Sequence, residues 1–205
     1  MGKETSKAYP RRLRDGYFHT VLAGQGIDIG CGDDPVTADC RRWDRAHGDA
    51  AELPGVPAES FDWVYSSHCL EDQPNPWRAL HRWWEVLKPG GRLLLVVPDE
   101  DLYEQGRWPS AFNGDHRWSF TIHKSRSWCE ASINLTELLA TLPGHEVRWI
   151  KRCDGGYDYG GGVWDRTHGP AEAAIEACVA KVRRSEITWY RYDDPSGGKQ
   201  AADSR

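Results

Sequence analysis

In the run Gly26-Ile27-Asp28-Ile29-Gly30-Cys31-Gly32-Asp33-Asp34-Pro35, apolar residues lead into an acidic one and two glycines follow at alternate positions. A chain reads this way where a buried parallel strand ends in a turn with no room for side chains. A side chain at Gly30 or Gly32 would hold the backbone away from whatever lies against the turn, and glycine also accepts positive φ. Two readings follow: a turn lying against a nucleoside-bearing ligand, or a tight strand-to-helix turn with no ligand. The segments further along decide between them.

Arg92–Val97 reads Arg-Leu-Leu-Leu-Val-Val, a continuous apolar run suited to a central parallel strand covered on both faces. Ser60–Ser66 reads as a buried strand with a polar end, and Cys40–Asp44 as a short second strand. Asn75–Leu87 carries Trp77, Leu80, Trp83, Trp84 and Leu87 at helical spacing, with Pro74 and Pro76 at its start and Lys88-Pro89-Gly90-Gly91 as its stop. Asn134–Leu142 predicts a second helix and Glu146–Arg152 a further strand. Ala171–Val182 suits either a helix or a strand returning into the sheet, the latter implying an antiparallel last strand. Residues 1–10 read as a frayed start, and Arg11–Leu22 as a short amphipathic helix. Strand and crossover alternate, so the class is α/β with a mainly parallel sheet and flanking helices.

A chain of 205 residues is long enough to bury about 70% of its unfolded surface without disulfides or metal. The expected organisation is one domain over residues 1–184, with a polar, flexible tail over 185–205. Residues 99–130 have little periodicity, and so long an excursion from a compact domain is usually functional. The six cysteines are scattered with no Cys-x-x-Cys pair, which implies reduced thiols in a cytoplasmic protein. No apolar run reaches membrane-spanning length. A net charge of −5 argues against nucleic acid as partner, and the short clusters Arg11-Arg12-Leu13-Arg14, Arg41-Arg42 and Arg183-Arg184 read as solvated surface. Oligomeric state stays open.

Four segments in order resemble class I S-adenosylmethionine-dependent methyltransferases: Ile27–Gly32, Gly48–Pro54, Phe61–Glu71 and Val86–Leu93. The resemblance runs from about Gly26 to Pro98, and more loosely to about residue 183. It implies a Rossmann-like sheet, S-adenosyl-L-methionine as cofactor, and transferase activity. It also implies a cofactor site at Asp28, Gly30, Cys31, Gly32, Asp44, Asp49, Ala50, Ser66 and Ser67. In that site the Gly30–Gly32 backbone lies against the methionine part, Asp28 near its ammonium, and Asp44 accepts from the ribose hydroxyls. Asp49 accepts from the adenine amino group while the Ala50 amide donates to a ring nitrogen; Asp49 equally suits a helix N-cap. The sequence departs from the pattern in two places. Asp34 stands where a third glycine is usual, and only about a dozen residues separate Gly32 from Asp44, so the first crossover helix must be shortened or missing.

Methyl transfer from a sulfonium is an in-line displacement that asks chiefly for alignment and exclusion of water. A hydroxyl acceptor gains from a general base near neutral pKa. His68, just beyond the third buried strand, is the first candidate; His116 and His123 follow. Asp99-Glu100-Asp101 with His116 or His123 offers oxygen and nitrogen ligands for a divalent ion, but the spacing is not diagnostic and no metal ligands are assigned. Tyr103, Trp118 and Tyr157 are candidates for an acceptor pocket, as are Trp108 and Trp128. The segment after Ser67 lacks the Asn/Asp-Pro-Pro-aromatic motif of base methylation, so the expected acceptor is a small molecule, a sugar or a carrier-linked group, methylated on oxygen or nitrogen. The alternatives are a cofactor-binding partner subunit that does not catalyse and a nucleic-acid methyltransferase.

Overall fold

The computed structural model describes residues 3–166 and 168–182. Among the described residues there are eight strands: β1 (Gly26–Ile29), β2 (Arg41–Trp43), β3 (Phe61–Ser67), β4 (Leu87–Pro98), β5 (Ser119–Thr121), β6 (Ser132–Asn134), β7 (His145–Cys153) and β8 (Ala174–Lys181). The helices are α1 (Glu4–Lys7), α2 (Tyr9–Arg14), α3 (Tyr17–Thr20), α4 (Pro76–Val86) and α5 (Leu135–Ala140). Six strands make one sheet in the order β2-β1-β3-β4-β8-β7, and β5 pairs with β6 beside it. β1 through β4 are mutually parallel, while β8 runs antiparallel to both β4 and β7. This is the expected α/β sheet with its antiparallel last strand, and Ala171–Val182 resolves as strand.

The sheet is covered on both faces because its central strands are apolar on both. Leu93, Leu95 and Val97 face one core with Ile27, Ile29 and Val64, where Leu80, Trp83 and Trp84 of α4 and Leu138 and Leu139 of α5 pack. Leu94 and Val96 point the other way, into a second core with Tyr17, Trp63, Tyr65 and Cys178. That alternation is the period of a strand read in three dimensions. α4 starts where Asn75 Oδ1 accepts from Arg78 N at 2.9 Å, and Pro76 suits the first turn, where its missing N–H has no intrahelical partner.

Between β1 and β2 no helix forms: residues 30–40 are turns and bends. The first crossover is missing its helix, as the short Gly32–Asp44 spacing requires. The N-terminal expectations are corrected. Residues 4–14 are helical and not frayed, and Gly16 at φ 65° splits the Arg11–Leu22 segment into α2 and α3. Arg11 and Arg12 are not solvated either, whereas Arg14, Arg41 and Arg42 are exposed as expected. Arg12 is 1% exposed, its Nη2 lies 2.8 Å from Glu176 Oε2 on β8, and its guanidinium stacks on Tyr17 and Tyr65. Arg11 reaches both Glu172 and Glu176. Among the described residues no helix is long and apolar enough to cross a membrane. Arg183-Arg184 and the expected tail over 185–205 lie outside the described residues.

Candidate functional site

The strand order reverses between β1 and β3. From β1 the chain moves outward to β2, then returns past β1 to β3, so the two crossovers leave a crevice beyond the carboxyl ends of β1 and β3. A cleft of about 560 Å³ opens there, within the range of small-ligand sites. Gly30, Cys31 and Gly32 line it from β1, and Ser67 and His68 from β3. Lys3, Glu4 and Thr5 of the N-terminal segment close one side, with Tyr103, Phe112, Asn113, Asp165 and His168 on the others. The helix missing after β1 leaves this edge open to the N-terminal segment instead. Ser6 N donates to Asp34 Oδ2 at 2.8 Å and its hydroxyl donates to Asp34 Oδ1, tying α1 across the turn. Asp34, in the place of the usual third glycine, is that anchor.

The turn itself is built from strained positions. Gly30 has φ 80°, and a Cβ there would lie 2.5 Å from Cys69 Cβ. Gly32 has φ 50° and open space on its Cβ side, with Asp44 Oδ2 at 3.9 Å the one neighbour. Gly30 is therefore required by packing as well as by conformation, Gly32 by conformation and access. Gly30 N donates to Trp43 O at 2.8 Å and Gly32 N to Asp44 Oδ2 at 2.6 Å, so the end of β2 holds the turn in shape.

Of the sequence-predicted cofactor residues, Gly30, Cys31, Gly32 and Ser67 line the cleft. Asp44 sits just behind it, half-buried, its carboxylate accepting from Gly32 N and Arg45 N. Asp28 does not line the cleft. It is 1% exposed, and Oδ2 accepts from Val36 N at 2.7 Å while Oδ1 has no partner among the described residues. Burial raises its carboxyl to about 7, against the lowering effect of the Val36 N–H and Arg12. Ser66 Oγ donates to Ile29 O at 2.9 Å and so joins β3 to β1. Asp49 is exposed and caps a turn through Ala51 N at 2.8 Å; the Ala50 carbonyl accepts from Trp83 Nε1 at 2.8 Å. Neither lines the cleft.

His68 has φ 50°, a left-handed conformation that costs a β-carbon-bearing residue on the order of 1 kcal/mol. It is held there by its N–H, which donates to Val96 O at 2.9 Å. Its Nε2 lies 3.8 Å from Glu4 Oε2 and its Nδ1 3.3 Å from Glu71 Oε1. Burial pulls its pKa down, but Glu4 and Glu71 outweigh burial and raise it. His116 is buried behind Tyr103, whose ring packs against both imidazoles at 5.7 and 4.8 Å between centroids. His116 Nδ1 bonds Glu104 Oε1 at 2.7 Å and its Nε2 lies 3.8 Å from Glu71 Oε1. His123 is exposed and lines no part of the cleft.

The acidic trio does not gather with either histidine. Lys124 Nζ sits 2.7 Å from Glu100 Oε1 and 2.5 Å from Asp101 Oδ1, so a side-chain ammonium occupies the place considered for an ion. Asp99 Oδ1 accepts from the amides of Asp101 and Leu102. Trp118 donates to Gln73 O and Trp128 to Asp101 Oδ1, which makes both structural, while Tyr103 remains at the cleft. Glu71 and Glu104, which the sequence does not single out as site residues, stand against the imidazoles of His68 and His116. Glu71 stands three residues after His68, a spacing that brings side chains together in a turn. Glu104 has no such signal, since it meets His116 only through the folding of the polar excursion.

A family model described as "Methyltransferase domain" matches residues 7–132. A demethylmenaquinone methyltransferase of Listeria welshimeri is 31% identical over 133 residues, covering 58% of this chain and 55% of that protein. A trans-aconitate 2-methyltransferase of Deinococcus radiodurans is 47% identical over 51 residues, 25% of this chain and 18% of that one. The chain thus spans about half the length of the Listeria relative. Among solved structures, a SAM-dependent methyltransferase from Thermotoga maritima superposes with a TM-score of 0.53 at 18% identity, over 87% of this chain and 97% of that one; this likeness is one of fold. Sheet order, the cleft at its reversal and the extent of the family match agree: the chain belongs to the methyltransferase-domain family and has the class I α/β fold.

Proposed function

We propose that the chain binds S-adenosyl-L-methionine in this cleft and transfers its methyl group to an oxygen or nitrogen of a small-molecule or carrier-linked acceptor. The carrying observation is the convergence of the Gly30–Gly32 turn, Ser67 and His68 on one 560 Å³ cleft at the reversal of strand order. The residues fit the cofactor. Among the described residues, Glu4, Asp33, Asp34 and Asp165 line the cleft, and Lys3 is the one lysine or arginine beside them. Such a lining favours a ligand bearing a sulfonium and an ammonium, and disfavours the phosphates of a nucleic acid. The buried Ser67 Oγ has no partner among the described residues and is available to the ligand. When bound, the cofactor supplies a methyl group on positively charged sulfur.

The chain's own groups then divide the work. The Gly30–Gly32 backbone seats the methionine part and Asp44, just behind that turn, the ribose; an adenine contact from Asp49 or Ala50 requires the ligand to reach past the cleft's lining. Asp28 acts through the turn that it holds at Val36, and Ser66 through β1. His68 Nε2 faces the cleft and accepts the acceptor's proton as the methyl arrives, with Glu71 behind the ring steadying the imidazolium. The names of the relatives, demethylmenaquinone and trans-aconitate methyltransferases, support a small organic acceptor.

Calorimetry with S-adenosylmethionine and its demethylated product tests the first step; absence of affinity for both overturns the reading. Transfer of a labelled methyl group to an acceptor extract tests the second, and binding without transfer would favour a non-catalytic partner subunit. His68→Gln is expected to lower turnover about 10²-fold or more with cofactor affinity kept within a few-fold. Unchanged turnover removes His68 as the base.

A further inference from the structure

Glu71 is fully buried, yet neither of its carboxylate oxygens has a hydrogen-bond partner among the described residues. Its backbone is not loose: the Glu71 carbonyl accepts from Arg117 N at 2.9 Å and Trp118 N at 3.1 Å, which pins this turn against the segment carrying His116. The His116 side chain is also fully buried. Its Nδ1 is 2.7 Å from Glu104 Oε1, a carboxylate oxygen that accepts from the proton-bearing nitrogen of the ring. Nε2 has no partner among the described residues and faces Glu71 Oε1 at 3.8 Å. One buried imidazole therefore stands between two buried carboxylates. His68 Nδ1 approaches the same Glu71 oxygen at 3.3 Å, and one ligand atom from each of the three residues lies within 4.8 Å of the others. A single proton satisfies one pair of these atoms; a cation with several coordination positions satisfies all three at once.

We propose that His68, Glu71 and His116 form a binding site for one divalent transition-metal ion of the zinc class. Two imidazoles and a carboxylate favour zinc and its first-row neighbours over magnesium or calcium, which take oxygen ligands. Ligands about 2.1 Å from one zinc sit roughly 3.4 Å apart in tetrahedral geometry, so the His68–Glu71 separation already fits and the rings close on the ion from the wider distances. Glu104 holds the His116 tautomer from outside, the carboxylate–histidine arrangement that orients metal-bound imidazoles. The Tyr103 ring fixes both imidazoles against rotation. Three protein ligands leave a position open, the arrangement of reactive rather than purely structural zinc sites. With the ion on Nδ1, His68 Nε2 carries the ring proton and donates at the cleft, so the general-base role of His68 belongs to the metal-free chain and the loaded chain does not use it.

The inference does not rest on the methyl-transfer reading, because it is read by metal binding alone. The full chain, stripped with chelator, is titrated with zinc by calorimetry, and bound metal is counted after gel filtration. One zinc per chain is expected, unaffected by a large excess of magnesium. Glu71→Gln and His116→Ala are expected to weaken binding at least 100-fold, and Glu104→Gln by 10- to 100-fold. His123→Ala, outside the cluster, is expected to leave it unchanged. Cobalt in place of zinc is expected to give the visible absorption of a tetrahedral site in the unsubstituted chain, a readout that needs no variant to fold. No stoichiometric zinc in the unsubstituted chain overturns the proposal and leaves the cluster a proton-sharing network. Equal binding in folded Glu71→Gln overturns it as well.

Discussion

Asp28 shows how a side chain serves a site without lining it. Its buried carboxylate accepts the Val36 N–H, and burial lifts its pKa to about 7. An unfolded aspartate titrates near 3.9. Between these values the native state holds the extra proton, so its contribution to stability falls as pH rises from about 4 to about 7 and is level above that. Asp28→Asn keeps an acceptor for Val36 and abolishes the titration. Relative to the parent chain it is expected to gain on the order of 2–3 kcal/mol between pH 5 and pH 8, measured by urea unfolding at both. A gap between the two proteins that does not change with pH would show that Asp28 does not titrate there. Asp28→Ala abolishes the titration as well but leaves the Val36 N–H without its acceptor, so it is expected to be about 1–3 kcal/mol less stable than Asp28→Asn at either pH. At the same scale, the left-handed backbone of His68 and the buried carboxylate of Glu71 beside it are local costs gathered at one place, which is where function is expected.

At the scale of elements, the β1 turn and the helix missing behind it are coupled. Alternating glycines marked the turn, and the short Gly32–Asp44 spacing showed that no full crossover helix fits. The reason for each glycine was not legible, because it depends on a neighbour 39 residues away. A methyl group at Gly30 meets Cys69, whereas one at Gly32 meets open space. Gly30→Ala is therefore expected to lower stability by about 2–4 kcal/mol, from overpacking and positive φ together, and Gly32→Ala by about 1 kcal/mol, from φ alone. Thermal or urea denaturation orders the two; equal losses would mean that Cys69 yields freely. The α4 helix and its cap were readable because Asn75, Pro76 and the apolar spacing are local signals. The N-terminal helices were not, since α1 and α2 are short and are fixed by partners far along the chain.

Those partners matter for the whole molecule. Glu176, fully buried on β8, takes both Arg11 and Arg12, and Lys151 approaches at 3.3 Å. Burial alone would raise its pKa, but the two guanidinium groups override it and hold the carboxyl at about 2. A carboxylate with a depressed native pKa stabilises the fold above its unfolded value near 4.3 and loses that contribution as pH falls toward 2. The loss is on the order of 3 kcal/mol for this one group. Glu176→Gln is expected to destabilise the chain by about 3–5 kcal/mol at pH 7, since it strands buried Arg12, and by clearly less at pH 3. Urea unfolding at the two pH values checks this, and an equal loss at both would show that the cluster is not the acid-labile element.

Periodicity and punctuation are properties of neighbours in the chain, so the amino-acid order alone was enough for the α/β class, the continuous central strand at Arg92–Val97, the α4 boundaries and the glycine turn that led to the family. It was enough, too, to place Gly30, Gly32, Ser67 and His68 at one end of a parallel sheet. Charges and ligands that meet across the fold carry no such period. The burial of Arg12 on Glu176, the closure of Glu100 and Asp101 around Lys124, and the meeting of His68, Glu71, His116 and Glu104 behind Tyr103 arise only when distant segments pack, because side-chain partnership is set by distance in space and burial, and neither is written in the local order of residues.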